Sequence, residues 1–145
     1  MRLVPMRLVL DTNVVASALL WDGPPKALLR MGLTEGVELF TSIPMLAELT
    51  EILSRPKFDK KIAAALLTVD QLVDLYAGSV SLVNPVFVTR LAPDPDDDVV
   101  IATAIAAIAD LLVTGDRAFL SVGQYEGGRI VSVSEALKAI GERAL

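Results

Sequence analysis

The chain has 145 residues, 53% of them hydrophobic, and its 13 Lys and Arg stand against 18 Asp and Glu for a formal net charge of −5; Cys and His are both absent. That length suits one domain, residues 1–145, with a core of its own. Lack of Cys excludes disulfides, thiolate chemistry and Cys-based zinc sites, and lack of His excludes Ser-His-Asp and Cys-His nucleophile systems. Chemistry here belongs to carboxylates, and any metal is a hard ion held by oxygen.

Residues 1–4 and 6–9 both read Met-Arg-Leu-Val around Pro5, which points to Met6 as the natural start. Arg7 to Leu10 is a short β-rich run ending in Asp11, and from Asn13 the composition turns helical. Trp21-Asp-Gly-Pro-Pro25 breaks that helix, and Lys26 to Met31 begins another. Val37 to Thr41 reads as a second strand, after which Ser42 can N-cap a helix to about Leu53. Two more helices are expected at Asp59 to Leu67 and Val69 to Ala77, then a strand at Val80 to Val83. The acidic turn Pro93-Asp-Pro-Asp96 leads into a helix of about a dozen residues. Leu111 to Thr114 reads as a buried strand, Gly115 as a turn and Arg129 to Val133 as the last strand. Ser132 and Glu135 have capping-box spacing for a terminal helix to about Arg143.

Short apolar strands alternating with helices, without polar alternation along the strands, predict an α/β fold: a three-layer α/β/α sandwich around a mostly parallel sheet. The uncharged stretch Val99 to Ala109 is too short and too alanine-rich to span a bilayer, and too little apolar chain precedes Asp11 for a secretory signal. No membrane partner and a cytoplasmic location are the expectation. A mean hydropathy of +0.56 leaves more apolar surface than one core hides, which predicts a homo-oligomeric interface.

Four acids stand where charge is costly. Asp11 and Asp116 fall at strand ends, on the side of a parallel sheet where ligands bind. On a helical period Asp98 shares a face with Ile101, Ala102, Ile105 and Ala109, whereas Asp96 and Asp97 read as first-turn charges favoured by the helix dipole. Glu48 borders the apolar stripe Met45, Leu49, Ile52 and Leu53, and Glu51 faces away. Helix caps and solvated charges are the plain alternatives for each acid. Together they would repel and raise one another's pKa, an effect that a divalent ion such as Mg²⁺ or Mn²⁺ reverses. Arg55, Lys57, Lys60 and Lys61 form a basic cluster suited to nucleic-acid phosphates, with Lys26 and Arg30 as lesser candidates; the alternative is a solvated helix face.

The order Leu-Asp11-Thr-Asn13, Glu48 in a helix, Asp98-Val-Val-Ile-Ala-Thr and Val-Thr114-Gly-Asp116 resembles PIN-domain nucleases, and more narrowly the VapC-like toxins of toxin-antitoxin systems. Arg55-Pro56-Lys57-Phe58 adds to the likeness, which runs from Met6 to the last helix. The resemblance implies a Mg²⁺- or Mn²⁺-dependent endoribonuclease whose catalytic and metal-binding residues are Asp11, Glu48, Asp98 and Asp116. It places Asn13, Ser17 and Thr114 as polar support, and it implies an RNA substrate, a homodimer and a cognate antitoxin. Asp97 beside Asp98 leaves the third position ambiguous. Other readings stay open: a non-catalytic PIN-like interaction module, or a HAD-type phosphatase, which would need a second Asp where this chain has Asn13. A receiver domain would want paired acids after the first strand and a late Lys.

Overall fold

The computed structural model describes residues 4–34, 36–85 and 95–144. In chain order it contains β1 (Met6–Leu10), α1 (Thr12–Leu20), α2 (Pro24–Met31), β2 (Val37–Thr41), α3 (Ile43–Leu53), a 3₁₀ turn (Pro56–Phe58), α4 (Asp59–Ala64) and α5 (Val69–Ser79). There follow β3 (Ser81–Leu82), α6 (Pro95–Ala106), β4 (Leu111–Val113), α7 (Arg117–Leu120), β5 (Gln124–Tyr125), β6 (Gly128–Val131) and α8 (Val133–Ala144). The strands form one sheet in the order β3-β2-β1-β4-β6-β5, parallel throughout except where β5 pairs antiparallel to β6.

Successive strand residues point to opposite faces, and both faces are apolar. Leu8, Leu10, Leu39, Leu111, Val113 and Val131 enter one cluster with residues of α1, α2, α3, α5 and α8. The intervening Val9, Phe40, Leu112 and Ile130 enter a second with Val100, Ile101 and Ala104 of α6 and Phe119 of α7. That division is the physical content of the α/β/α sandwich: a sheet buried on both sides has no use for polar alternation. Among the described residues no single helix is long and apolar enough to cross a membrane.

Several boundaries differ from the sequence expectations. α2 begins at Pro24, because Pro at the first helical positions sacrifices no hydrogen bond. Pro95 and Asp96 belong to α6 rather than to a turn, while Pro93 and Asp94 lie outside the described residues. α6 ends at Ala106, and Ile108 takes a left-handed φ of 51°, so Ala109 is no part of the helical face assigned to Asp98. The capping box of α8 forms: Glu135 N–H donates to Ser132 Oγ at 3.1 Å and Ser132 N–H to Glu135 Oε1 at 3.2 Å. α7 and β5 were not expected. β5 exists because Glu126-Gly127 turns the chain back, with Gly127 at φ 96°. A Cβ on Gly128 would lie 2.2 Å from the Tyr125 hydroxyl, which donates to Ala109 O at 2.6 Å.

Candidate active site

β1 is followed in sequence by β2 on one side of it and flanked by β4 on the other, so the strand order reverses between β1 and β4. Loops leaving the carboxyl ends there diverge and open a crevice. Asp11 stands at that point. Its N–H donates to Val113 O at 2.8 Å, continuing the ladder one residue past the strand, and the residue is only 4% exposed.

The Asp11 carboxylate is held on both oxygens. Oδ2 accepts from Thr114 Oγ1 at 2.7 Å, and Oδ1 accepts from Thr12 N–H at 2.8 Å and, weakly, from Thr12 Oγ1 at 3.4 Å. Thr114 is fully buried, and its oxygen also accepts from Asp116 N–H at 3.1 Å. One hydroxyl therefore links the ends of β1 and β4. Asp116 is exposed and caps α7, its Oδ1 accepting from Ala118 N–H at 2.8 Å and Phe119 N–H at 3.4 Å. Both strand-end acids thus fill helix-cap positions, and Asp11 carries the added cost of burial.

That cost shows in the charge balance. Burial pushes the Asp11 carboxyl above the usual carboxylate range, hydrogen bonds from Thr114 and Thr12 pull it back, and the Asp116 charge adds to the rise. Glu48, half-buried on α3, is also pushed up, first by burial and then by the Asp11 charge. A hydrogen bond from the Thr12 side chain opposes that rise, and Asp96 and Glu51 reinforce it. Asp11 therefore repels an acid on either side, and the single Thr12 hydroxyl proton is shared ground between Asp11 and Glu48.

Asp98 is half-buried in the first turn of α6, and so is Asp97; Asp96 is exposed, and its charge reaches Glu48. Because Val100, Ile101, Ala102, Thr103 and Ala104 are all buried, α6 is covered around most of its girth. Periodicity then does not separate Asp98 from Asp97: Val100, Ile101 and Ala104 lead back to Asp97, Ile101 and Ala102 to Asp98. Asn13, exposed, and Ser17, half-buried, line a hollow with Gly115 and Asp116. Glu48, Glu51, Arg55 and Asp96 line another between α3 and α6. Arg55 Nη2 is 3.6 Å from Glu51, and Lys57, Lys60 and Lys61 are exposed.

Sequence reasoning overlooked Thr12, Asp96 and the pair Ser42–Thr103. Thr12 adjoins Asp11 at a helix start, where a hydroxyl is common enough to carry no signal. Ser42 occupies the N-cap position of α3 without capping it through its side chain. Its Oγ lies 2.8 Å from Thr103 Oγ1 in a buried contact, and since Thr103 spends its own proton on Val99 O at 2.8 Å, Ser42 is the donor. That bond fixes the start of the Glu48 helix against the helix of the Asp96–Asp98 run, and nothing in either local sequence announces it.

Oxygen donors alone, two of them buried or half-buried and raised in pKa by burial first and by neighbouring acidic charge after it, are the chemistry that a hard divalent cation suits. Among the described residues no three acidic side chains already stand close enough to cage an ion. Asp11 is held on both oxygens, Asp116 is exposed and Glu48 half-buried.

The family model described as PIN domain matches residues 7–118 of the chain. No curated protein matches at the sequence level. Among solved structures, a chain of VapBC2 from Rickettsia felis, crystallised bound to a DNA fragment from its promoter, superposes with a TM-score of 0.59 at 16% identity, covering 88% of this chain and 98% of that one. At that identity the likeness is one of fold.

Proposed function

The chain belongs to the PIN domain family, and from that premise we propose that it is a metal-dependent endoribonuclease, the toxin of a toxin-antitoxin pair. The observation that carries the nuclease reading is Asp11, a buried carboxylate at the strand-order reversal, gripped by Thr114 and flanked by the like charges of Glu48 and Asp116. A fold does not keep such an arrangement for stability, because like charges near a dry interior cost free energy.

Asp11, Glu48, Asp98 and Asp116 would hold Mg²⁺ or Mn²⁺. When bound, such an ion supplies a water of lowered pKa and neutralises charge on the phosphate. Thr114 fixes Asp11 Oδ2, and the Thr12 hydroxyl keeps Asp11 and Glu48 in a common hydrogen-bonded group. Asn13 and Ser17 border the hollow beside Asp116, in reach of a nucleotide placed there. Arg55, at the rim beside Glu48 and Asp96, and the exposed Lys57, Lys60 and Lys61 offer positive charge to an RNA backbone.

The VapBC2 fold likeness supports a protein antitoxin as partner. Exposed Ile43, Leu66, Leu75 and Ile108 support a homodimer, and a cytoplasmic site of action follows from an RNA target. The test is cleavage of an RNA panel with Mn²⁺ and with EDTA, beside p-nitrophenyl phosphate. RNA cleavage in Mn²⁺ that vanishes in Asp11→Asn is expected. Wild-type rates in Asp11→Asn sink the site, and turnover of the small ester alone favours a phosphatase.

A further inference from the structure

Two sequence features outside the acidic quartet meet on the surface: the helix-breaking Trp21 and the segment Arg55-Pro56-Lys57-Phe58. Trp21 closes α1, its N–H donating to Ser17 O at 3.0 Å, and stays 39% exposed, in neither core cluster. The Phe58 ring meets it edge to face, centroids 5.8 Å apart and planes at 68°. Lys61 Nζ lies 5.4 Å from the Trp21 ring centroid, and Lys57 Nζ 5.1 Å from that of Phe58. Phe58 itself is anchored against the first core cluster.

We propose that Trp21, steadied by Phe58 and flanked by Lys57 and Lys61, is a stacking platform for an unpaired base of a single-stranded RNA whose scissile phosphate lies at Asp11. A large aromatic ring held at its edge and left partly in water costs exposure that packing alone does not justify, whereas every nucleobase has a face to offer it. The two ammonium groups, drawn to the rings by cation–π attraction, stand where phosphates on either side of a stacked base need counter-charge. Arg55, engaged with Glu51, is less available for that task.

Distance supports the pairing of platform and site. α1 runs from its cap at Asp11 to its cap at Trp21, with nine helical residues between them, a span of about 15 Å at the helical rise. A few unstacked nucleotides bridge that gap, and a base-paired duplex would keep its faces hidden from the ring. The platform thus selects single-stranded RNA, and it rests on the nuclease reading above.

Trp21 is the chain's one tryptophan, so its fluorescence reports on this surface alone. The experiment titrates the wild-type protein in EDTA, where binding proceeds without cleavage, with a dye-labelled 12-nucleotide single-stranded RNA and with the same strand annealed to its complement. Tryptophan emission and dye anisotropy are read together. Expected are quenching by the single strand and little by the duplex, about tenfold weaker binding in Trp21→Ala with largely retained affinity in Trp21→Phe, and a salt slope reduced by about 0.7 for each of Lys57→Ala and Lys61→Ala.

Binding by anisotropy without quenching, or with affinity unchanged in Trp21→Ala, overturns the platform and leaves the nuclease reading standing. Absence of any RNA binding by anisotropy overturns the platform, and RNA cleavage in Mn²⁺ then decides the nuclease reading separately. Equal quenching by duplex and single strand also overturns the platform. Should Trp21→Ala fail to fold by circular dichroism, the wild-type quenching and the two lysine variants decide.

Discussion

The same two strands, β1 and β4, treat charge in opposite ways at their two ends. At the amino end Arg7 is compensated on every side. Its Nε donates to Ala107 O at 2.7 Å, its guanidinium sits 4.2 Å over the Phe40 ring and 3.6 Å from Glu38, and its N–H donates to Asp110 Oδ2 at 2.9 Å. At the carboxyl end Asp11 faces Glu48 and Asp116, and among the described residues no salt bridge reaches any of the three. One end is built for stability. The other accumulates like charge, relieved by hydrogen bonds from Thr12 and Thr114 to Asp11 and from Ala118 and Phe119 N–H to Asp116.

The largest expected effect separates the ends most sharply. Asp11→Asn should abolish RNA cleavage yet raise the melting temperature of the metal-free protein. Folded Asp11 and Glu48 keep their protons to higher pH than the unfolded chain does. The folded state therefore binds more protons as pH rises from the unfolded carboxylate range, about 4, through the raised folded values, and stability falls across that window. Melting curves in EDTA from pH 4 upward should show wild type losing ground to Asp11→Asn, and Mn²⁺ at neutral pH should raise the wild-type melting temperature more than the variant's. A variant that melts lower than wild type at all pH values would show that the acids are not in conflict.

Thr114→Val keeps the shape of the buried side chain and removes the hydroxyl that donates to Asp11 at 2.7 Å. Cleavage should fall about 10- to 100-fold, and the acid limb of its pH profile should move to higher pH, since a bond favouring ionised Asp11 is lost. An unmoved limb would separate Thr114 from the Asp11 proton.

At the opposite end effects should be on stability alone. Arg7→Met should cost about 2 kcal/mol in urea unfolding, through the lost charged hydrogen bond to Ala107 O and the lost cation–π contact, with cleavage per folded molecule unchanged. Glu38→Gln, touching a 3.6 Å pair whose side chains are 35% and 42% exposed, should shift stability by less than about 1 kcal/mol. Loss of cleavage in Arg7→Met would break the division between the two ends.

Much of the fold is legible locally. β2 and α3 fall where composition, the Thr41–Ser42 junction and the apolar stripe Met45, Leu49, Ile52 and Leu53 place them, because each signal is short-range. α7 and β5 escaped because four- and two-residue elements hold too few side chains to show a period, and they exist through the Asp116 cap and the Gly127 turn. The position of Asp11 and Asp116 at carboxyl strand ends was legible too. Choosing Asp98 over Asp97 was not: a helix buried around most of its girth has no single apolar stripe for a periodicity argument to follow.

By itself the sequence determined that thiol and imidazole chemistry are excluded, with neither Cys nor His present, and that its strands are buried on both faces. Tertiary structure alone decided which acids feel one another. Glu48 is coupled to Asp11 because α3 packs against α1, and Asp96 to Glu48 because Ser42 and Thr103 bind α3 to α6 across 61 residues of chain. Trp21 meets Phe58 for the same reason. Electrostatic coupling and ring contact depend on separation in space, and only packing sets that for residues distant in sequence.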